Sequence, residues 1–206
     1  MQQRDATDPD AGLDAPRPLS ERAEDNLRFI RSAMEGSSRF TDVSGTGMVL
    51  IGVSAVPAAI IAAAQPTEAA AVLVWEAELA VAVTIGLIAT LRKAGGHWER
   101  LLAAPARKFA LGLAPPLAAG GVLTLVLQGE GLLHLLPGMW LLVYGAAIAA
   151  AGAFSVRILP ALGFAFMALG TLAFLGGPGW SHWLLGFAFG GLHIACGVTI
   201  ARRYGG

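Results

Sequence analysis

A single cysteine, Cys196, stands in 206 residues, so no internal disulfide can form and the redox compartment leaves no mark on the chain. Charge is scarce as well: 14% of residues are Asp, Glu, Lys or Arg, against about 25% in soluble domains. Too little charge remains to coat a water-facing globule of this size. The motifs of common enzymes are missing, with no Walker loop, no dinucleotide glycine fingerprint, no Gly-x-Ser-x-Gly elbow and no HExxH. Without a visible nucleophile and base, no enzymatic activity, cofactor or metal is expected. The basic residues lie in loops without interleaved stacking aromatics, which argues against nucleic acid. Because the chain opens polar and acidic, with its first apolar run near Gly47, a secretory signal peptide is not expected.

What the chain has is apolar length. Hydrophobic residues make up 55%, and beyond the first 45 positions almost every window of twenty is apolar and rich in Ala, Leu and Gly. The fold class expected is an all-α polytopic membrane bundle of six transmembrane helices behind a cytoplasmic amphipathic helix. The spans fall near Gly47 to Ala64, Ala69 to Leu91, Phe109 to Gln128, Leu132 to Phe154, Ile158 to Leu175 and Trp183 to Ala201. Each approaches the ~20 residues that cross a ~30 Å hydrocarbon layer.

Three domains follow: residues 1–19 as a disordered tail, 20–46 as an amphipathic helix with its linker, and 47–206 as the bundle. In the helix Ser20 is placed to cap, Glu24 and Arg28 to pair at i,i+4, and Ala23, Leu27, Ile30 and Met34 recur at helical spacing. It either lies on the membrane or bundle surface or docks a partner protein. Its polar face mixes both signs, unlike the Lys/Arg-rich face of a lipid-binding helix.

The basic residues set the orientation. Arg92, Lys93, Arg100, Arg107 and Lys108 lie between spans two and three, Arg157 between four and five, and Arg202 and Arg203 after six, while the rest precede span one. The other three loops carry none, which predicts both termini in the cytoplasm of a cell inner membrane. Trp140, Trp180 and Trp183 then fall at the outer interface. Outer loops are a few residues long, so accessible surface for a partner lies at 20–35 or in the 92–108 loop, where HWERLLAAPARK suits a short interfacial helix.

Polar residues inside the spans are few. Glu78 and Glu76 lie ~21 and ~24 Å above the inner boundary set by Arg92, in the outer third of the core. A carboxylate at the bilayer centre costs ~2.5 to 3.5 kcal/mol, less toward the edge. At i,i+2 the two point ~200° apart, so they are neither an ion clasp nor a catalytic dyad. Glu78 is the candidate interior carboxylate, bonded to a neighbouring helix or relaying a proton or cation; Glu76 reaches the outer boundary or Glu68.

His193 joins Gly186, Gly190 and Gly197 on one stripe of span six, as Gly145, Ala149 and Gly152 do in span four, and so faces protein. It reads as a satisfied structural group, with Tyr144 the other polar candidate in the bundle's middle and Cys196 a small apolar filler. An outer metal trio of Glu130, His134 and His182 is the weaker reading of those residues. Pro57, Pro115 and Pro116 are placed to break or bend spans one and three. Matches between GMVLI at Gly47 and GMWLL at Gly138 would suit an inverted three-plus-three repeat, though so Ala/Leu-rich a chain produces them by chance.

The stretches ERAEDNLRFIRSAME from Glu21, RKFALGLAPPLAAG from Arg107, GAFSVRILP from Gly152 and GLHIACGVTIARRYGG from Gly191 resemble an uncharacterised group of short bacterial six-span integral membrane proteins. The resemblance implies the six-span fold and assigns no activity. That group's Trp, apolar, Ala, Glu pattern at the outer end of span two is matched by Glu78 and departed from at Glu76. The expectation is thus a non-enzymatic structural, accessory or partner-binding membrane component, in lipid and open to oligomerisation. The alternative is a small transporter or proton-coupled carrier using Glu78.

Overall fold

The computed structural model describes residues 19–37, 40–41, 43–95 and 97–204, and falls into two compact units, residues 1–38 and 39–206. The expected tail lies outside the described residues except for Leu19, which opens α1 (Leu19–Ser37). Ser20 is therefore inside the helix rather than its cap, and the helix continues past Gly36. Arg28 stands 3.8 Å from Asp25, one turn position nearer than the expected Glu24. Leu27 and Ile30 are exposed.

The second unit is the membrane bundle. Its helices are α2 (Gly45–Ala63), α3 (Glu68–Lys93), the short α4 (Trp98–Leu102), α5 (Ala104–Gly129), α6 (Leu136–Gly152) behind a 3₁₀ turn, and α7 (Ile158–Gly176). The last rod combines α8 (Pro178–Leu185), a π-helical stretch at Gly186–Leu192 and α9 (His193–Tyr204). Six of these rods are long and apolar enough to cross a membrane. The chain is a multi-pass, all-α membrane bundle, and no strand occurs among the described residues.

Local chemistry sets the ends. Ser44 and Thr67 cap α2 and α3, accepting from the backbone N–H of Gly47 and Ala70 at 3.1 and 3.2 Å. Gly95, Gly131 and Gly177, with φ of 63°, 72° and 79°, stop α3, α5 and α7 in the left-handed region. The expected proline breaks do not occur: α2 runs through Pro57 and α5 through Pro115 and Pro116. α5 also begins five residues before the expected Phe109, with proline in its first turn, so Arg107 and Lys108 belong to a helix. The connection between α3 and α5 contains the expected short helix, as α4.

Packing follows the small residues. α2 lies between α3 and the last rod, and α6 between α5 and α7. A Cβ on Gly52 would stand 2.7 Å from Gly190 O, and one on Gly45 2.6 Å from Gly197 O, so α2 and the last rod meet backbone to backbone. Gly145 and Gly163 do the same for α6 and α7, each Cβ position lying within 2.6 Å of the other's carbonyl. The outermost rod is α5, with 6% of its apolar window buried against 56% for the rod ending in α6.

The segment entering α2 is part of this core. Phe40 is buried, its N–H donates to Phe154 O at 2.9 Å, its carbonyl accepts from Ser155 Oγ at 2.6 Å, and its ring lies 5.0 Å from that of Phe109. Three residues on, Val43 O accepts from Lys93 Nζ at 3.1 Å. What reads in the sequence as linker thus ties the end of α3 and the start of α5 to the α6–α7 turn.

Candidate functional site

The polar residues of the spans resolve into bonds between helices. Ser54 on α2 donates to Glu78 Oε1 on α3 at 2.8 Å. Glu78, half-buried, thus meets a neighbouring helix, as one of its two expected readings required. Gln128 Nε2 of α5 donates to Glu76 Oε1, joining α3 to a helix it scarcely touches elsewhere. The two carboxylates face different partners, as their angular separation demands. Trp140 is half-buried, with Nε1 donating to Thr124 Oγ1 at 2.9 Å, while Trp180 and Trp183 are exposed.

His193 is fully buried, only 2% exposed. Its Nδ1 lies 3.4 Å from Ala188 O and its Nε2 2.8 Å from Tyr144 Oη. A carbonyl only accepts, so in the neutral ring Nδ1 carries the proton and the Tyr144 hydroxyl donates to Nε2. Phe166 meets the imidazole edge-on at 5.4 Å and Phe189 stacks on it at 5.7 Å. Among the described residues no buried side-chain N or O lacks a partner.

His193 does not share the glycine stripe, contrary to the helical spacing. Gly186, Gly190, Ile194, Gly197 and Ala201 meet α2, while His193 turns to Tyr144 and Phe166 on α6 and α7. The cause is the π-helical stretch at Gly186–Leu192, whose i→i+5 bonding widens the turn and shifts the register by a residue. Glycines at 190 and 191 ease this, and the shifted residue changes neighbour by ~100°. Cys196 is buried in the same core, free and apolar in its surroundings.

Near the start of α3, Trp75 Nε1 donates to His182 Nδ1 at 3.3 Å, and the Trp75 ring lies 6.3 Å from Phe189. His134 and His182 line one cleft with Glu68, of about 10 Å³, room for about one water. Glu130 is not among its walls, so the trio is not assembled. Among the described residues no group of three or more His, Cys, Asp or Glu is placed to hold a metal ion.

The partners Ser54, Gln128, Thr124 and Trp75 do not stand out in the sequence, apart from Ser54 as the one hydroxyl in the middle of its span. A polar side chain in an apolar span needs a bond to a neighbour, and which one depends on helix adjacency. Comparison with known proteins found no matching family model, no matching curated protein and no matching solved structure.

Proposed function

We propose that this chain is a non-enzymatic component of a cell inner membrane, with both termini cytoplasmic, that binds a partner protein through the amphipathic helix at residues 20–35 or through the 92–108 connection. The observation carrying this reading is where the polar groups are used. Inside the spans Glu78, Glu76, Tyr144 and His193 bond to other side chains of the same bundle, as structural ties do. Outside them, Leu27 and Ile30 of α1 stand 65% and 52% exposed beside a polar face of both signs. An apolar stripe with a mixed polar face suits a protein groove better than a lipid surface. Deleting residues 20–35 in the full chain should leave the bundle's thermal stability near the parent's and remove a co-purifying protein. Unchanged partners together with unchanged stability would overturn the reading.

One observation favours a second reading, a small transporter or proton-coupled carrier. π-helical turns are frequent at functional sites, and this one abuts the His193–Tyr144 pair, with Glu78 in a neighbouring helix pair. Glu78→Gln in reconstituted vesicles should then abolish a proton or solute flux that the parent supports. Equal flux in the two would remove this reading.

A further inference from the structure

The indole of Trp75 can only donate, so its 3.3 Å bond to His182 Nδ1 fixes the state of that imidazole: Nδ1 is bare, the ring is neutral, and its one proton sits on Nε2. The bond joins α3 to α8, helices that scarcely touch elsewhere. Trp75 is buried, while His182 is half-buried in a cleft whose walls include the exposed Glu68 and His134. The cleft thus gives protons access to His182. Glu68 stands seven residues before Trp75, on the same face of α3 and about 10 Å nearer its start. His134, on the 3₁₀ turn, is the other titratable group in the walls among the described residues. The elements packed on α8 bring no further charge: α2, α7 and the π-helical stretch have no titratable residue, and Tyr144 of α6 is bonded to His193. Glu76, next to Trp75 in the chain, turns to Gln128.

We propose that His182 is an acid-operated latch between α3 and α8, closed on Trp75 while neutral and released toward Glu68 once protonated. An imidazolium donates from both nitrogens, so Nδ1–H then faces the indole N–H donor to donor and the bond is lost. The Glu68 carboxylate lines the same cleft and receives the new charge, which draws the ring toward the start of α3. His134 gains a like charge over the same range, which opposes the release and does not drive it. The release reaches the core as well. The Trp75 ring lies 6.3 Å from Phe189, which stacks on His193, and α8 runs directly into the π-helical stretch that carries Phe189. The latch is independent of any partner for α1 and of Glu78.

The full chain carrying Ala69→Cys and Gly179→Cys, both exposed near the starts of α3 and α8, is spin-labelled in lipid nanodiscs in a Cys196→Ala background. The distance between labels is read from about pH 8 to about pH 5, the range over which histidine changes charge. The ¹H–¹⁵N indole signal of Trp75, identified by its loss in Trp75→Phe, is followed over the same range. In the parent the distance should lengthen on acidification and the indole signal should move with it. His182→Gln keeps an acceptor for Trp75 but takes no proton, so both readouts should hold their values of the higher pH. Glu68→Gln should demand about threefold more acid for the same change, the worth of one exposed ion pair, and His134→Gln should demand no more than the parent. An unchanged distance in the parent, the same change in His182→Gln, or no effect of Glu68→Gln would each overturn the latch. If His182→Gln does not fold, Glu68→Gln against His134→Gln decides.

Discussion

Removing the Tyr144 hydroxyl leaves His193 Nε2 buried without its donor while the ring contacts to Phe166 and Phe189 persist. Tyr144→Phe should therefore destabilise the bundle by about 1–3 kcal/mol in a denaturation assay, the range for an orphaned buried acceptor. The double variant Tyr144→Phe, His193→Phe should be the more stable of the two, because no polar atom is then stranded. Ser54 and Glu78 form a bond that is only half-buried, so a double-mutant cycle of Ser54→Ala and Glu78→Leu, which removes the acceptor, should give a coupling of about 0.6 kcal/mol, typical of polar pairs in membrane helices. Coupling indistinguishable from zero would show that the bond adds nothing to stability. The candidates Glu78, Glu76, Tyr144 and His193 were legible from polarity alone. Their partners were not, because Ser54 and Gln128 lie 24 and 52 positions from the carboxylates they meet.

At the scale of the helix, glycine has two distinct uses, and substitutions separate them. Gly52→Ala places a methyl 2.7 Å from a backbone carbonyl that cannot move aside, so about 1–3 kcal/mol of stability should be lost. Gly121→Ala on α5 meets nothing within 4 Å and should lose none. Gly131 also meets nothing, yet its φ of 72° should make Gly131→Ala destabilising by roughly 1–2 kcal/mol through the backbone alone. Equal melting temperatures for the three variants would show that neither close approach nor handedness governs these positions. The spans were legible as apolar runs, and the Gly145, Ala149, Gly152 stripe pointed correctly to a packed face of α6. The π-helical stretch was not legible, since the spacing of Gly186, Gly190, His193 and Gly197 fits an ordinary α-helix. Only the α2 backbone passing at Gly186 and Gly190 shows which residue is displaced.

For the whole molecule, Phe40 matters more than its position in a linker suggests. Phe40→Ala opens a space among Phe109, Phe154 and Ser155 and should destabilise by about 3 kcal/mol, whereas Leu27→Ala on exposed α1 should leave the melt unchanged. The distribution of Lys and Arg carries the orientation, and thiol labelling checks it. In intact cells an impermeant reagent should label Gln65→Cys in the turn before α3 and spare His97→Cys beside α4 until the cells are opened; buried Cys196 should stay silent in both. The reverse pattern would invert the molecule.

Composition and apolar run length by themselves determined the class of this protein, the number of its rods and the few polar residues inside them. Those properties are local: transfer into hydrocarbon acts on each ~20-residue window without reference to any other. Tertiary structure alone decided that Phe40 belongs to the core, that Glu76 bonds to Gln128 of α5, that His193 meets Tyr144, and that a cleft opens between α2 and α3. Each depends on which helices stand side by side. In lipid that choice is made by close packing and hydrogen bonds between residues far apart in the chain, and no window of sequence contains both partners.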